Sequence, residues 1–236
     1  MWKFVDSGKN SPQHNMALDA KLLQEISPTG SKILHFYDWD APCFTHGYFI
    51  NPKDYLQLEQ LQAMGVTWAR RPTGGGIIFH TTDFAFSVLV PSQDPWYQEN
   101  TLANYKKIND KVQQAVFLYI QETGLKLLAQ NPQGLDAYAN NFCMAKPTIY
   151  DVMLDGKKIA GAAQRRQKNG LLHQGSISIA MPQENFLKSA LIPGTRVLEG
   201  MQAHTYPLLK DGWGPGDILH TRKMLQGFLK KVFLED

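Results

Sequence analysis

The chain has 236 residues, of which 43% are hydrophobic and 19% are charged. A chain of this length buries enough surface to fold without a disulfide or a metal, and this composition argues against disorder. With 24 basic and 21 acidic residues, the formal net charge is +3. That charge is too small for a dedicated nucleic-acid-binding protein, but it suits an acidic partner.

Targeting and membrane segments are not expected. Residues 1–20 contain no apolar core of a secretory signal, and no run approaches the roughly 18 apolar residues of a membrane helix. In a chain without such a signal, Cys43 and Cys143 are expected to be free thiols rather than a bridge. We therefore expect a cytoplasmic globular protein that does not contact membranes.

The N-terminal half predicts alternating helices and strands. Residues 11–26 begin with Ser-Pro and carry apolar residues at helical spacing, which indicates an amphipathic helix. Further elements are a strand over 33–37, a helix over 52–64 and a strand over 66–71. Residues 76–80 and 84–90, separated by a short polar turn, predict a hairpin.

The C-terminal half predicts a long helix over 101–123, a loose stretch over 131–141, a hairpin, a strand and a last helix. The hairpin joins residues 148–154 and 157–166 through Asp155-Gly156, the strongest short-range hairpin signal in the chain. The strand spans 171–180 and the last helix 218–233.

The order of these elements predicts the fold class. There is no regular alternation of strand and helix, so we expect an α+β fold with a mostly antiparallel or mixed sheet flanked by helices. One domain is expected over residues 1–236, with a small appendage after about residue 195 as the alternative.

A glycine-rich segment follows the strand over 66–71. It reads Arg70-Arg71-Pro72-Thr73-Gly74-Gly75-Gly76. Three successive glycines permit positive φ and expose N–H groups that can bind a carbonyl, a carboxylate or a phosphate, and two arginines can neutralise an anion. The segment is neither a P-loop nor a dinucleotide fingerprint. The alternative for this segment is a flexible turn. The nearby His80 could bind substrate, and the alternative is that it is a hydrogen-bonded core residue.

Lys157 and Lys158 point to opposite faces of their predicted strand, so one of them faces inward if that sheet has a buried side. Gly161, Ala162 and Ala163 leave space beside it. An inward lysine must pair with an anion, and it can bind a carboxylate or phosphate or polarise a carbonyl. The alternative is that both lysines are solvated at the end of a hairpin.

Cys143 lies in a polar-flanked loop with Lys146 nearby, and a close lysine would favour the thiolate. The alternative is an inert thiol, which is the commoner fate of a cysteine. The chain has no GxSxG elbow, no Cys/His cluster with zinc spacing and no HExxH, so no metal site is expected.

Three segments in this order resemble the signature of the lipoate–protein ligase and octanoyl transferase superfamily. They are RRPTGGGIIFH (70–80), GKKIAGAAQRR (156–166) and LLHQGSISI (171–179). NMALDAKLL (15–23) and HFYDWDAPCFTHGYF (35–49) resemble the opening segments of that family, so the resemblance covers roughly residues 1–190. It implies the α+β fold of biotin/lipoate protein ligase catalytic domains.

Two departures point to one branch of this superfamily. Its ATP-using ligases usually carry HDxGN after the loop and a GRND-like segment before the hairpin. Residues 80–87, HTTDFAFS, instead resemble the HxxELxYS pattern of one octanoyl transferase branch. Residues 143–150, CMAKPTIY, resemble the segment that supplies the nucleophilic thiol of those transferases. The chain is therefore most similar to the Cys-dependent octanoyl transferases.

The resemblance implies a site in which an acyl chain lies in an apolar tunnel beside the glycine-rich segment. Cys143 and Lys158 are the implied catalytic residues, with Lys158 at the acyl carbonyl. The residues predicted to bind substrate are Arg70, Arg71, Thr73, Gly74, Gly75, Gly76, His80, Gly161, Ala162, His173 and Gly175. His173-Gln174-Gly175 is an inverted form of the usual QHG of the family, which leaves the role of His173 open.

The implied reaction is transfer of an octanoyl or lipoyl group from acyl carrier protein to a lysine of a lipoyl domain, without a cofactor. The acceptor is a lipoyl domain of a 2-oxoacid dehydrogenase or a glycine cleavage H-type protein. The first alternative is a lipoate–protein ligase that uses ATP and Mg²⁺ and forms lipoyl-AMP, with Cys143 as a bystander. The second is a binding module that has lost its chemistry.

Overall fold

A seven-stranded mixed sheet crosses the protein. The computed structural model describes residues 1–132 and 139–235, so part of the loose stretch predicted over 131–141 lies outside the described residues. In order across the sheet, the strands are β1 (Trp2–Asn10), β2 (Lys32–Trp39), β6 (Asp83–Pro91), β10 (Gly170–Ser178), β9 (Lys157–Gln167), β8 (Val152–Leu154) and β7 (Lys126–Leu127). The β1–β2 pair is parallel and the other pairs are antiparallel.

A second sheet has three strands: β4 (Thr67–Arg70), β3 (Cys43–His46) and β5 (Ile77–His80), in that order. The hairpin predicted from residues 76–90 is wrong, because β5 pairs with β3 while β6 pairs with β2 and β10 of the large sheet. The intervening turn carries the chain from one sheet to the other. It is fixed by the Thr82 carbonyl, which accepts the N–H groups of Ile179 and Ala180.

Helices cover both faces of the large sheet. On one face, α3 (Thr101–Ile120) and α6 (Pro215–Leu234) share a core with Phe84 and Phe86 of β6. Ala85, between them, points to the other face and packs with Met16 of α1 (Pro12–Glu25) and with Cys43 of the second sheet. This alternation separates an aromatic core from a second face that lies against the small sheet.

The remaining helices are α2 (Leu58–Ala63), α4 (Glu184–Ala190) and α5 (Val197–His204). Their buried side chains pack with those of the small sheet in one apolar cluster. The chain after residue 195 thus contributes α5 to the cluster around the small sheet and α6 to the core against α3. The predicted α+β class is confirmed, with a mixed sheet between helices. Within residues 1–132 and 139–235, no helix is long and apolar enough to cross a bilayer.

Local signals located several elements correctly. Ser11 caps α1 by accepting the His14 N–H at 3.2 Å, and Pro12 occupies the first turn. The Asp155-Gly156 turn is confirmed, with φ of 50° and 75° as a tight turn of this type requires, but the strand predicted from residue 148 begins only at Val152. The helix predicted over 101–123 ends earlier, at Ile120, because Gln121 adopts a left-handed conformation.

The helix predicted over 52–64 is only partly correct. Residues Pro52–Asp54 form a short 3-10 helix, and α2 begins only at Leu58. Between them, the Gln57 N–H donates to the Ala190 carbonyl and the Gln57 amide donates to the carbonyls of Ser189 and Leu191. The bond from the Gln57 N–H to the end of α4 replaces the helical hydrogen bond that this N–H would otherwise make, while the Leu56 N–H still donates to the Pro52 carbonyl at 2.9 Å.

Candidate active site

A cavity of about 250 Å³ lies between the small sheet and the face of the large sheet that carries α1. Its volume suits a short chain better than a drug-sized ligand. Apolar side chains form much of its wall: Met16, Tyr37, Ile78, Ala85, Met144, Ala162 and Ala163. These predicted site residues line it: Arg71, Gly75, Gly76, His80, Cys143, Lys158, Gly161, Ala162 and Gly175. The others, Arg70, Thr73, Gly74 and His173, lie outside its lining.

The thiol of Cys143 faces the glycine-rich segment. Its backbone N–H donates to the Ile77 carbonyl at 2.9 Å, which fixes this loop beside β5. Gly75 has φ of +84°, and a Cβ placed there would lie 3.7 Å from the Cys143 sulfur. Glycine at 75 thus supplies the left-handed conformation, and a Cβ there would crowd Arg71 Nη2 at 3.2 Å. Cys143 is half-buried, so the thiol is reachable from the cavity that it lines.

Arg71 is buried, and its guanidinium donates hydrogen bonds to the glycine-rich segment. One guanidinium nitrogen, Nη1, donates to the carbonyl and hydroxyl oxygens of Thr45 at 3.1 and 2.9 Å. The other, Nη2, donates to the carbonyls of Gly74 and Gly76 at 3.1 and 2.6 Å and lies 3.7 Å from the Cys143 sulfur. Among the described residues it forms no ion pair with a carboxylate. Its positive charge is therefore available to an anion at the sulfur.

This contact predicts how Arg71 affects the thiol. We expect Arg71→Met to slow alkylation of Cys143 by iodoacetamide at neutral pH by about tenfold, because the guanidinium 3.7 Å from the sulfur stabilises negative charge there. Arg71→Lys keeps a charge without the planar fork, so we expect a smaller loss. Mass spectrometry of the labelled protein measures the rate, and Cys43 is an internal control because burial raises the pKa of its thiol well above the usual value. Unchanged or faster labelling of Cys143 in Arg71→Met would contradict this account.

Lys158 is the inward-facing lysine of β9, and only 3% of it is exposed. Its ammonium lies 2.7 Å from the Asp151 carboxylate and donates to the carbonyls of Cys143 at 2.7 Å and Lys146 at 3.4 Å. Burial raises the pKa of Asp151, while Lys158 and Thr148 oppose that rise. The ammonium therefore holds the loop that carries the thiol, in addition to lining the cavity.

Gly161 makes room for this ion pair. A Cβ at that position would lie 2.5 Å from both Lys158 Nζ and Asp151 Oδ1. We expect Gly161→Ala to destabilise the protein by about 3 kcal/mol, because it overpacks a buried charged pair. Gly227→Ala is the matched control, since a Cβ there meets nothing within 4 Å and alanine favours the helix by about 1 kcal/mol. Urea unfolding of both variants measures the difference, and equal stability would refute the clash.

His80 and Asp83 extend the contacts behind Arg71. His80 Nδ1 lies 2.8 Å from Asp83 Oδ2, and Nε2 lies 2.8 Å from the Thr45 hydroxyl that Arg71 also binds. Burial raises the pKa of Asp83, but His80 and Ser176 outweigh that effect and hold it below its usual value. A continuous chain of hydrogen bonds therefore joins a buried carboxylate to the guanidinium beside the thiol.

Thr73 and Gln174 anchor the other side of the glycine-rich segment. The Thr73 hydroxyl donates to Gln174 Oε1 at 2.7 Å, and the Gln174 amide donates to Asp19 at 2.6 Å. Asp19 is buried and pairs with His35 at 2.8 Å. Thr73 thus fixes the segment without lining the cavity, which Gln174 does line.

His173 points away from the cavity, because successive side chains of β10 face opposite sides of the sheet. It is buried near Tyr105 of α3 and accepts a hydrogen bond from the Gln164 amide at 2.8 Å. Burial lowers its pKa to about 3, so this imidazole is neutral. Arg70 lies outside the cavity as well, with its guanidinium over the Tyr48 ring.

Analysis of the sequence missed Asp151, Thr45 and Gln174. The first had a usable signal, because an inward lysine needs an anion and Asp151 is on the segment that pairs with its strand. Gln174 also had a signal, because it lies between His173 and Gly175 in the segment that resembles the family motif, whereas Thr45 meets the site only through pairing of distant strands.

Known proteins are similar to most of this chain in sequence and in fold. Residues 11–201 match the family model described as the lipoyl protein ligase A/B catalytic domain. The octanoyltransferase LipM of Bacillus subtilis (strain 168) is 31% identical over 214 residues, which cover 85% of this chain and 73% of that protein. LipM of Geobacillus kaustophilus (strain HTA426) is 32% identical over 213 residues, covering 86% and 74%.

Two solved structures share the fold. The crystal structure of a lipoate-protein ligase A bound with ATP superposes with a TM-score of 0.72 at 19% identity, covering 99% of this chain and 86% of that one. A putative lipoate protein ligase of T. acidophilum with bound lipoic acid gives 0.70 at 19% identity, covering 98% and 86%. With the matched family model and the relatives above 30% identity, the chain belongs to the lipoyl protein ligase A/B catalytic domain family.

Proposed function

We propose that this protein is an acyltransferase of protein lipoylation, which transfers an octanoyl group to a lysine of a lipoyl domain through a thioester on Cys143. The observation that carries the proposal is the position of the thiol. It lines an acyl-sized cavity, and its sulfur lies 3.7 Å from Nη2 of the buried Arg71. Relatives named octanoyltransferase, about 30% identical over most of the chain, support the same reaction.

The reaction has two steps. In the first, the Cys143 sulfur attacks the carbonyl carbon of a thioester donor, a new S–C bond forms, the S–C bond of the donor breaks, and the donor leaves as a thiol with the proton that Cys143 gives up. In the second, a neutral lysine amine attacks the acyl-enzyme, an amide forms, and the Cys143 thiol is regenerated with the proton released by the amine. The acyl group is held as a thioester at the start of each step, so neither step needs a nucleotide.

Negative charge on the acyl oxygen requires nearby donors. Lys158 lines the cavity, and the positive charge of Arg71, 3.7 Å from the sulfur, acts through space on an oxygen of the carbon bound to it, since both Nη2 hydrogens already donate to Gly74 and Gly76. The backbone N–H groups of Gly75 and Gly76 are the remaining candidates. One such donor typically stabilises a transition state by about 3–4 kcal/mol.

The two partners follow from this chemistry. The donor is an acyl carrier protein that presents octanoate as a thioester, and the acceptor is the lipoyl domain of a 2-oxoacid dehydrogenase or a glycine cleavage H-type protein. Acyl carriers and lipoyl domains are commonly acidic, so the net charge of +3 favours encounter with both. No cofactor takes part in the proposed steps.

Incubation with octanoyl acyl carrier protein, without ATP, tests the proposal. We expect mass spectrometry to find octanoate on Cys143, and addition of a lipoyl domain to move it to a lysine of that domain. Absence of the adduct, with pyrophosphate released from ATP and free lipoate in the presence of Mg²⁺, would support the ligase instead. Tight binding of octanoate without transfer in either assay would support a binding module.

A further inference from the structure

Two aromatic side chains stand out on the surface beside the glycine-rich segment. Phe49 is 90% exposed and Tyr48 is 44% exposed, and their rings meet edge to face at 5.2 Å. Isolated exposed apolar residues are ordinary, but adjacent aromatic rings in solvent are typical of interaction sites. These two residues form the apolar part of one surface patch.

Two arginines add positive charge to it. The guanidinium carbon of Arg70 lies 4.6 Å from the centre of the Tyr48 ring, and that of Arg165 lies 5.9 Å from it. Both arginines are exposed, and within the described ranges neither forms an ion pair with a carboxylate of this chain. Aromatic rings combined with arginine are the composition that protein interfaces favour. We call Tyr48, Phe49, Arg70 and Arg165 the aromatic–arginine surface.

This surface is attached directly to the active site. The Tyr48 N–H donates to the Thr73 carbonyl at 3.0 Å, and the Gly47 N–H donates to the Gly76 carbonyl at 3.1 Å. Arg165 donates to the Pro72 carbonyl at 3.1 Å. Its members therefore rest on the segment whose Gly75 lies beside the Cys143 sulfur, so a protein bound here would be next to the cavity.

We propose that the aromatic–arginine surface docks the acyl donor, a carrier protein with an acidic face whose acylated arm enters the cavity. The inference rests on the proposed function and adds where the donor binds. Both partners are commonly acidic, so the charge of the surface alone does not choose between them. The arm of the donor does, because a carrier of thioesters attaches it through a phosphodiester, which guanidinium groups bind well, and the acceptor lysine carries no such group.

The test compares two donors of the same acyl group. Octanoyl acyl carrier protein needs both the surface and the thiol, whereas octanoyl-pantetheine needs only the thiol and the cavity. We expect Phe49→Ser and Arg165→Glu each to slow acylation of Cys143 by the carrier at least about tenfold. Acylation by octanoyl-pantetheine should stay within about twofold of the unmodified protein, since the cavity is untouched. Added salt should slow only the reaction with the carrier.

Matched controls lie on the opposite face of the large sheet. Phe117→Ser removes a 44% exposed phenylalanine from α3, and Lys223→Glu makes the same charge change on an exposed residue of α6. Both should react with the carrier at the unmodified rate. An equal fall in Phe117→Ser and Phe49→Ser, or in Lys223→Glu and Arg165→Glu, would show a general effect and overturn the docking proposal.

Three further results would overturn it. The first is an unchanged rate with the carrier in Phe49→Ser and Arg165→Glu. The second is an equal fall with both donors, which would mean that the substitutions disturb the glycine-rich segment. The third is normal acylation followed by slow transfer to a lipoyl domain, which would assign the surface to the acceptor. If the unmodified protein reacts with neither donor, the proposed function itself fails, and that result differs from all three.

Discussion

We expect the Cys143→Ala variant to lose octanoyl transfer by at least about 10³-fold, because Cys143 is the only cysteine among the described residues that line the cavity. The fold should survive, since the side chain is half-buried and Arg71 keeps its bonds to Thr45, Gly74 and Gly76. Cys143→Ser should lose nearly as much, because a hydroxyl close to neutral pH is a far weaker nucleophile than a thiolate. Single-turnover reaction with octanoyl acyl carrier protein and a lipoyl domain measures the loss.

Cys43→Ala is the matched control for this experiment. Cys43 is fully buried in β3, and burial together with nearby carboxylates raises the pKa of its thiol. Cys43 does not line the cavity, although it packs with Met16 and Tyr37, which do. We expect transfer by Cys43→Ala to remain within a few-fold of the unmodified protein. Full transfer by Cys143→Ala would rule out the thioester mechanism, and dependence of that transfer on ATP would favour the ligase.

The fold could be predicted from the sequence where the signal was local. Ser11-Pro12 marks the start of α1 and Asp155-Gly156 marks a tight turn, because each sets its own backbone conformation. Residues 77–80 and 83–91 were recognised as strands, but their pairing was wrong because their partners are β3, β2 and β10. Pairing of this kind depends on distant segments that the local pattern does not contain.

The candidate site was predicted to a similar extent. Alternation along a strand predicted that one of Lys157 and Lys158 faces inward, and only the family resemblance named Lys158 and gave Cys143 its role. The sequence predicted that Arg71, beside the loop, could bind an anion. Its four hydrogen bonds to Thr45, Gly74 and Gly76 could not be predicted, because they depend on how the two sheets pack. His173 shows the opposite case: its neighbours belong to the family motif, yet it faces α3 rather than the cavity.

The role of Lys158 can be resolved by comparing Lys158→Met with Asp151→Asn. Both variants break the buried pair, which costs about 3–5 kcal/mol. In Lys158→Met the remaining carboxyl is buried, and burial raises its pKa. A pKa raised in the folded state favours folding at low pH and loses that contribution as the pH rises. We therefore expect Lys158→Met to be less destabilised at about pH 5 than at about pH 8, as measured by urea unfolding.

The same two variants distinguish two roles of Lys158, which are holding the cysteine loop and stabilising the acyl oxygen. We expect Lys158→Met to slow acylation of Cys143 about 10²-fold, because it removes a donor that lines the cavity as well as the bond to the Cys143 carbonyl. Asp151→Asn retains the amine, so its loss should be closer to tenfold. Lys157→Met is the matched control, since Lys157 donates only to the Gln202 carbonyl among its described contacts, and it should react normally. Equal losses in Lys158→Met and Asp151→Asn would mean that Lys158 acts only by holding the cysteine loop, leaving stabilisation of the acyl oxygen to Arg71 and the glycine backbone.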